Sequence, residues 1–108
     1  MGPKPQATKR HTIVLIQYTA AYESRSYLEF ATVSLAMDAL IKMYEHKLKE
    51  LNPTTLHITY DISDLYNFLD SIKELVGLVL NPSTNSYEPK DKEWIKESIM
   101  SHLRGQAS

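Results

Sequence analysis

HTIVLIQ, residues 11 to 17, is the stretch on which the fold turns. It is short and rich in β-branched residues, which marks a strand. Successive side chains of a strand point to opposite sides. Thr12, Val14 and Ile16 therefore share one face, and Ile13 and Leu15 share the other. LVGLVL, residues 75 to 80, is likewise apolar on both faces apart from the small Gly77. A chain of 108 residues forms one domain and can cover only one side of such a sheet with its own helices. The other apolar face needs a partner, and a second copy of the same sheet is the economical one.

Working outward, YTAAYES reads as a loop and RSYLEF, residues 25 to 30, as a second strand in a hairpin with the first. From Thr32 the period changes. Val33, Met37, Leu40, Tyr44, Leu48 and Leu51 recur every three or four residues, the stripe of a helix. Thr32 serves as its N-cap, and Asn52-Pro53 ends it because proline disfavours helical geometry in the preceding residue. NPTTLHIT then connects to DISDLYNFLDSI, where Asp61 caps a second helix and Asp64 stands at the third helical position. Ile62, Leu65, Leu69 and Ile72 form its apolar stripe. After LVGLVL, NPSTN is a turn and SYEP a short strand that Pro89 confines to an edge or an end. Asp91 caps the last helix, with Trp94, Ile95, Ile99 and Leu103 facing the core and Gly105 suited to its C-terminus. The order ββααββα is that of an α+β domain. Residues 1–10 read as a disordered N-terminal extension, 11–104 as the domain, and 105–108 as a flexible tail.

Composition narrows the function. Without cysteine there are no disulfides, thiolate metal sites or thiol nucleophile. No apolar run is long enough to cross a bilayer, and MGPKPQATKR lacks the apolar core of a secretory signal. Lys4, Lys9 and Arg10 give the first ten residues +3, which leaves −4 for the rest of a chain whose net charge is −1. With no basic stripe, direct nucleic-acid binding is disfavoured.

Three aspartates offer themselves for acid–base work, yet Asp61 and Asp64 are accounted for by capping and Asp70 by the polar side of its helix. His11, His46, His57 and His102 lie on separate segments without metal-ligand spacing. Glycine occurs only at positions 2, 77 and 105, so there is no phosphate-cradling loop, and no serine nucleophile elbow is present. No catalytic residue, cofactor or metal is expected. Of the seven tyrosines, Tyr44 and Tyr66 are assigned in or beside the core. Tyr27 and Tyr87, on strands, are assigned to a dimer face or a partner groove. A small-molecule enzyme on a dimeric α+β barrel and a direct RNA-binding module remain as alternative readings.

HTIVLIQ, RSYLEF, KMYEHKLKELNP, ITYDISDLYNFLD and KEWIKE together resemble the enhancer of rudimentary homolog family, from His11 to about Arg104. The N-terminal extension is longer than is usual there. The resemblance implies a four-stranded antiparallel sheet with three helices on one side and a homodimer formed through the open sheet faces. It implies no enzymatic activity. It implies a mainly nuclear adaptor, with the cytoplasm as a second location, that binds short segments of RNA-processing and transcription factors. YTH-domain proteins and, in some lineages, the microRNA-processing complex are examples. The family's genetic link to pyrimidine synthesis implies no catalysis. In the family, alternate residues of the first strand hold the dimer; here these are Ile13 and Leu15, whose full burial is worth about 1.5–3 kcal/mol each. Ser26, with Glu29 three residues on, matches a proposed site for an acidophilic kinase. Thr32, followed three residues later by Leu35, departs from that pattern.

Overall fold

The computed structural model describes residues 10–107. The expected extension, residues 1–10, therefore lies outside the described residues except for Arg10. The elements are β1 (Thr12–Gln17), a single 3-10 turn (Tyr22–Ser24), β2 (Arg25–Phe30), α1 (Val33–Leu51), α2 (Ile62–Ser71), β3 (Glu74–Asn81), β4 (Ser86–Lys90) and α3 (Lys92–Ala107). The four strands form one antiparallel sheet in the order β2-β1-β3-β4. This is the ββααββα arrangement read from the sequence.

Alternation along the two central strands divides the sheet into two faces. Thr12, Val14 and Ile16 of β1 and Leu75 and Val79 of β3 are buried. They lie beneath the helices with Ala36, Met37, Leu40 and Ile41 of α1, Leu65 and Leu69 of α2, and Ile95 and Ile99 of α3. Gly77 lies between Val14 and Lys90 in register, and a Cβ built on it would stand 4.0 Å from Ile95 Cδ1, so α3 crosses the sheet at this residue.

The helix starts are set locally. The Thr32 hydroxyl accepts from the Leu35 amide (3.1 Å), and the Asp91 carboxylate from the Trp94 amide (2.9 Å). Around α2 the cap is reciprocal: Asp61 accepts from the Asp64 amide (3.1 Å) while Asp64 accepts from the Asp61 amide (3.2 Å). Aspartate at the third helical position thus completes a capping box usually closed by Glu or Gln. The Ser63 hydroxyl, donating to Asp61 at 2.6 Å, and then the Asp64 amide hold the Asp61 carboxyl below its usual range. Replacing Asp61 by Ala is expected to lower the melting temperature by about 4–8 °C at neutral pH. A carboxyl depressed in the folded state stabilises above its unfolded pKa and loses that contribution as pH falls through the folded one. The difference between Asp61→Ala and wild type should therefore shrink in thermal melts taken below about pH 4.

Two sequence expectations are corrected. Gly105 does not end the last helix: α3 continues to Ala107, and Gly105 has no positive φ. Residues 105–107 of the expected tail are thus helical, and Ser108 lies outside the described residues. The apolar stripe of α1 also stops being buried before its end, Leu48 being half-buried and Leu51 67% exposed. The helix simply outruns the sheet beneath it. Elsewhere, the β3–β4 turn bends at Asn85, whose φ of 56° lies in the left-handed region that asparagine tolerates.

Candidate interaction surface

Residues that alternate with the core positions make up the uncovered face of the sheet. The strand register places Glu29, Ile13, Leu78 and Pro89 in one row across it. Tyr27, Leu15 and Val76 form the next, and Arg25, Gln17 and Glu74 a third. Leu80 and Tyr87 are paired at the opposite end. Leu15 is 40%, Tyr27 62% and Tyr87 42% exposed, while Ile13, Val76, Leu78 and Leu80 are half-buried. A depression of about 460 Å³ opens here, bounded by Leu15, Tyr27, Val76, Arg25 and Glu74.

The rim of this face is polar at both ends. At one, Arg25 Nε donates to Gln17 Oε1 (2.9 Å) and its guanidinium lies 4.4 Å from the centre of the Tyr22 ring. Glu74 shares the Arg25 row, so the cation has an acid on the same face. At the other end His11 Nδ1 and Tyr87 Oη share a 2.6 Å hydrogen bond, and His11 Nε2 lies 3.5 Å from Glu29 Oε1. The centre is hydrocarbon.

The structure brings Ile13, Leu15, Tyr27 and Tyr87 onto this one face. It places Ser26 apart from them, exposed on β2 opposite Ile16 and hence on the other side of the pleat. Thr32, Asp61 and Asp91 are helix caps, remote in role from the face. Sequence reasoning did not single out Val76, Leu78 and Leu80 as surface residues, although their alternation with Leu75, Gly77 and Val79 carries the signal. Nor did it join His11 to Glu29 and Tyr87, because the strand order needed to do so is not a local property.

Most of the groups considered for chemistry are engaged structurally, while His57 is exposed on the connection before α2. Asp70 accepts from Lys96 Nζ (2.8 Å), which also meets Glu93 (3.3 Å), and these hydrogen bonds push the Lys96 ammonium above its ordinary range. Tyr66 Oη donates to the Lys96 carbonyl (3.1 Å), joining α2 to α3. Tyr44 stacks edge-on against Tyr60, and Tyr60 Oη donates to Glu45 (2.8 Å). Burial and that bond raise the Tyr60 phenol pKa well above its usual value. His46 lies 3.3 Å from Glu50 and His102 3.6 Å from Asp38. Among the described residues, no group of three or more His, Asp or Glu could hold a metal ion, and no helix is long and apolar enough to cross a membrane.

The family model "Enhancer of rudimentary" matches residues 8–108, which is nearly the whole chain and includes every strand of the open face. The chain belongs to the enhancer of rudimentary family. It is 41% identical over 97 residues to the Enhancer of rudimentary homolog of Arabidopsis thaliana, covering 90% of this chain and 89% of the relative. It is 44% identical over 94 residues to the homolog of Dictyostelium discoideum, covering 87% and 94%. It is 46% identical over 94 residues to the Protein enhancer of rudimentary of Drosophila virilis, covering 87% and 90%. Family members from a plant, an amoeba and an insect thus align with this chain over most of its length.

Proposed function

We propose that the chain is a non-enzymatic nuclear adaptor. Two copies pair through the open faces of their sheets and present symmetry-related grooves to short peptide segments of RNA-processing and transcription factors. The observation that supports this reading is the patch of Ile13, Leu15, Val76, Leu78 and Leu80 that no helix covers, on the two central strands whose other face is packed under the helices. A contiguous apolar patch rimmed by polar residues is the mark of a protein interface. Membership of the family supports the adaptor role. The Arg25 cation shares its row with Glu74, which speaks against a phosphate-binding track on the same face.

The test is affinity purification from nuclear extract, with a dimer-deficient variant carrying arginine at positions 13 and 15 as the control. RNA-processing proteins retained by wild type and lost by the variant are the expected result. Wild type that retains none of them would overturn the adaptor role. Separately, Ser26 is exposed and has Glu29 three residues on, which makes it a candidate for an acidophilic kinase. Kinase treatment in vitro should place phosphate on Ser26 by mass spectrometry and none on a Ser26→Ala variant; unmodified Ser26 would remove this site.

A further inference from the structure

We infer that the outer edge of β2 is a second docking surface, and that its occupant is the β2 edge of another copy of this chain. The two strands run antiparallel about Tyr27 and continue the sheet from one copy into the next. In the single copy the sheet ends at β2 on one side and β4 on the other. Of the two, β4 is blunted by Pro89, which has no amide to offer a neighbour. β2 contains no proline, pairs with β1 without a bulge from Arg25 to Phe30, and is exposed over residues 25–29. Such an edge presents a row of backbone donors and acceptors and is a template for another strand.

Side chains select the strand that fits. Arg25, Tyr27 and Glu29 stand on one face of β2, with the two charges on either side of the ring. A two-fold axis through Tyr27 sets Arg25 of each copy opposite Glu29 of the other, and Tyr27 opposite its own equivalent. Opposite charges and aromatic rings in directly opposed positions stabilise strand pairs. On the other face the same axis sets Ser26 opposite Leu28, which is 37% exposed in the single copy. Parallel pairing in register would instead set arginine beside arginine and glutamate beside glutamate. Charges that ordinarily blunt an edge therefore choose one orientation here. The Glu29 side chain is 55% exposed, and the Arg25 guanidinium has donors beyond the Nε that meets Gln17. Backbone bonds at this edge lie in the plane of the sheet, so the contact is separate from pairing through the open faces. A six-residue strand makes a small contact, so association is expected at about 0.2 mM rather than at micromolar concentration.

Residues directly opposed on antiparallel strands have Cα atoms about 4.5–5.5 Å apart, within reach of a disulfide. The chain has no cysteine, so Ser26→Cys and Leu28→Cys each introduce a single thiol. In a glutathione redox buffer at about 0.2 mM protein, an equimolar mixture of the two variants should form a linked heterodimer, about fivefold more than either variant alone links to itself. Non-reducing electrophoresis reads the product, and circular dichroism checks that both variants are folded. Equal linking in the mixture and in the separate variants overturns the proposal, as does no linking, which leaves the edge to an extended segment of another protein. Both positions lie on the helix side of the sheet, away from the open face. The link should therefore persist when Ile13→Arg and Leu15→Arg are added, and its loss there overturns the proposal. In that same background, sedimentation equilibrium should show Arg25→Glu weakening association about tenfold and the further change Glu29→Arg restoring it. A swap that restores nothing removes the assigned register.

Discussion

The double variant Ile13→Arg, Leu15→Arg is expected to sediment as a monomer at micromolar concentration while remaining folded. Both side chains point away from the helices, with Leu15 in register with Tyr27 and Val76 and Ile13 with Glu29 and Leu78. Replacing them leaves the packed core untouched. Only surface still open in the single copy can be gained on pairing, and Leu15 is 40% exposed while Ile13 is half-buried. The return is therefore nearer 1 kcal/mol per side chain than the full burial value, about 3–6 kcal/mol for the four in a dimer. Losing that term weakens association by two to four orders of magnitude, and four unpaired guanidinium groups facing hydrocarbon oppose it further. Light scattering checks the mass and circular dichroism the fold. A dimer persisting at micromolar concentration would remove Ile13 and Leu15 from the interface.

Leu65→Ala is expected to be the most damaging of the single truncations considered, at about 2–5 kcal/mol in chemical denaturation. Leu65 is fully buried, and with Leu69 it is one of two fully buried side chains that α2 contributes to the core. Ten residues do not hold a helix in water by themselves, so α2 depends on this contact and its capping box. Against a total of about 5–15 kcal/mol for a domain, the loss is a large fraction. Leu56→Ala is the matched control. Leu56 is 91% exposed on the connection before α2, and its truncation should change stability by less than about 0.5 kcal/mol. Equal losses for the two would mean that α2 is not packed as described.

The caps were legible in the sequence because capping joins residues three apart. Thr32, Asp61 and Asp91 each bond the amide three positions on, whatever the rest of the chain does. The two-faced character of HTIVLIQ was legible for the same reason, since alternation is built into an extended backbone. The end of α1 at Asn52 was legible too, but the exposure of its last turn was not. Leu48 and Leu51 continue a perfect helical stripe, but whether a stripe is buried depends on where the sheet stops. Gly105 illustrates a weaker signal: glycine permits a helix end without enforcing one, and here α3 runs through it.

Strand positions, helix starts and an unmatched apolar face were determined by the sequence alone, because each follows from periodicity or from bonds within one turn. The tertiary structure decided which strand lies beside which, and so what the face consists of. Antiparallel pairing of β1 with β3 sets Leu15 beside Val76 and Ile13 beside Leu78. The same order brings His11 within reach of Tyr87, 76 residues away. No local preference encodes such neighbours. They exist because burying Val14, Ile16, Leu75 and Val79 under three helices leaves one register for the sheet, and a shift by one residue would turn that core outward.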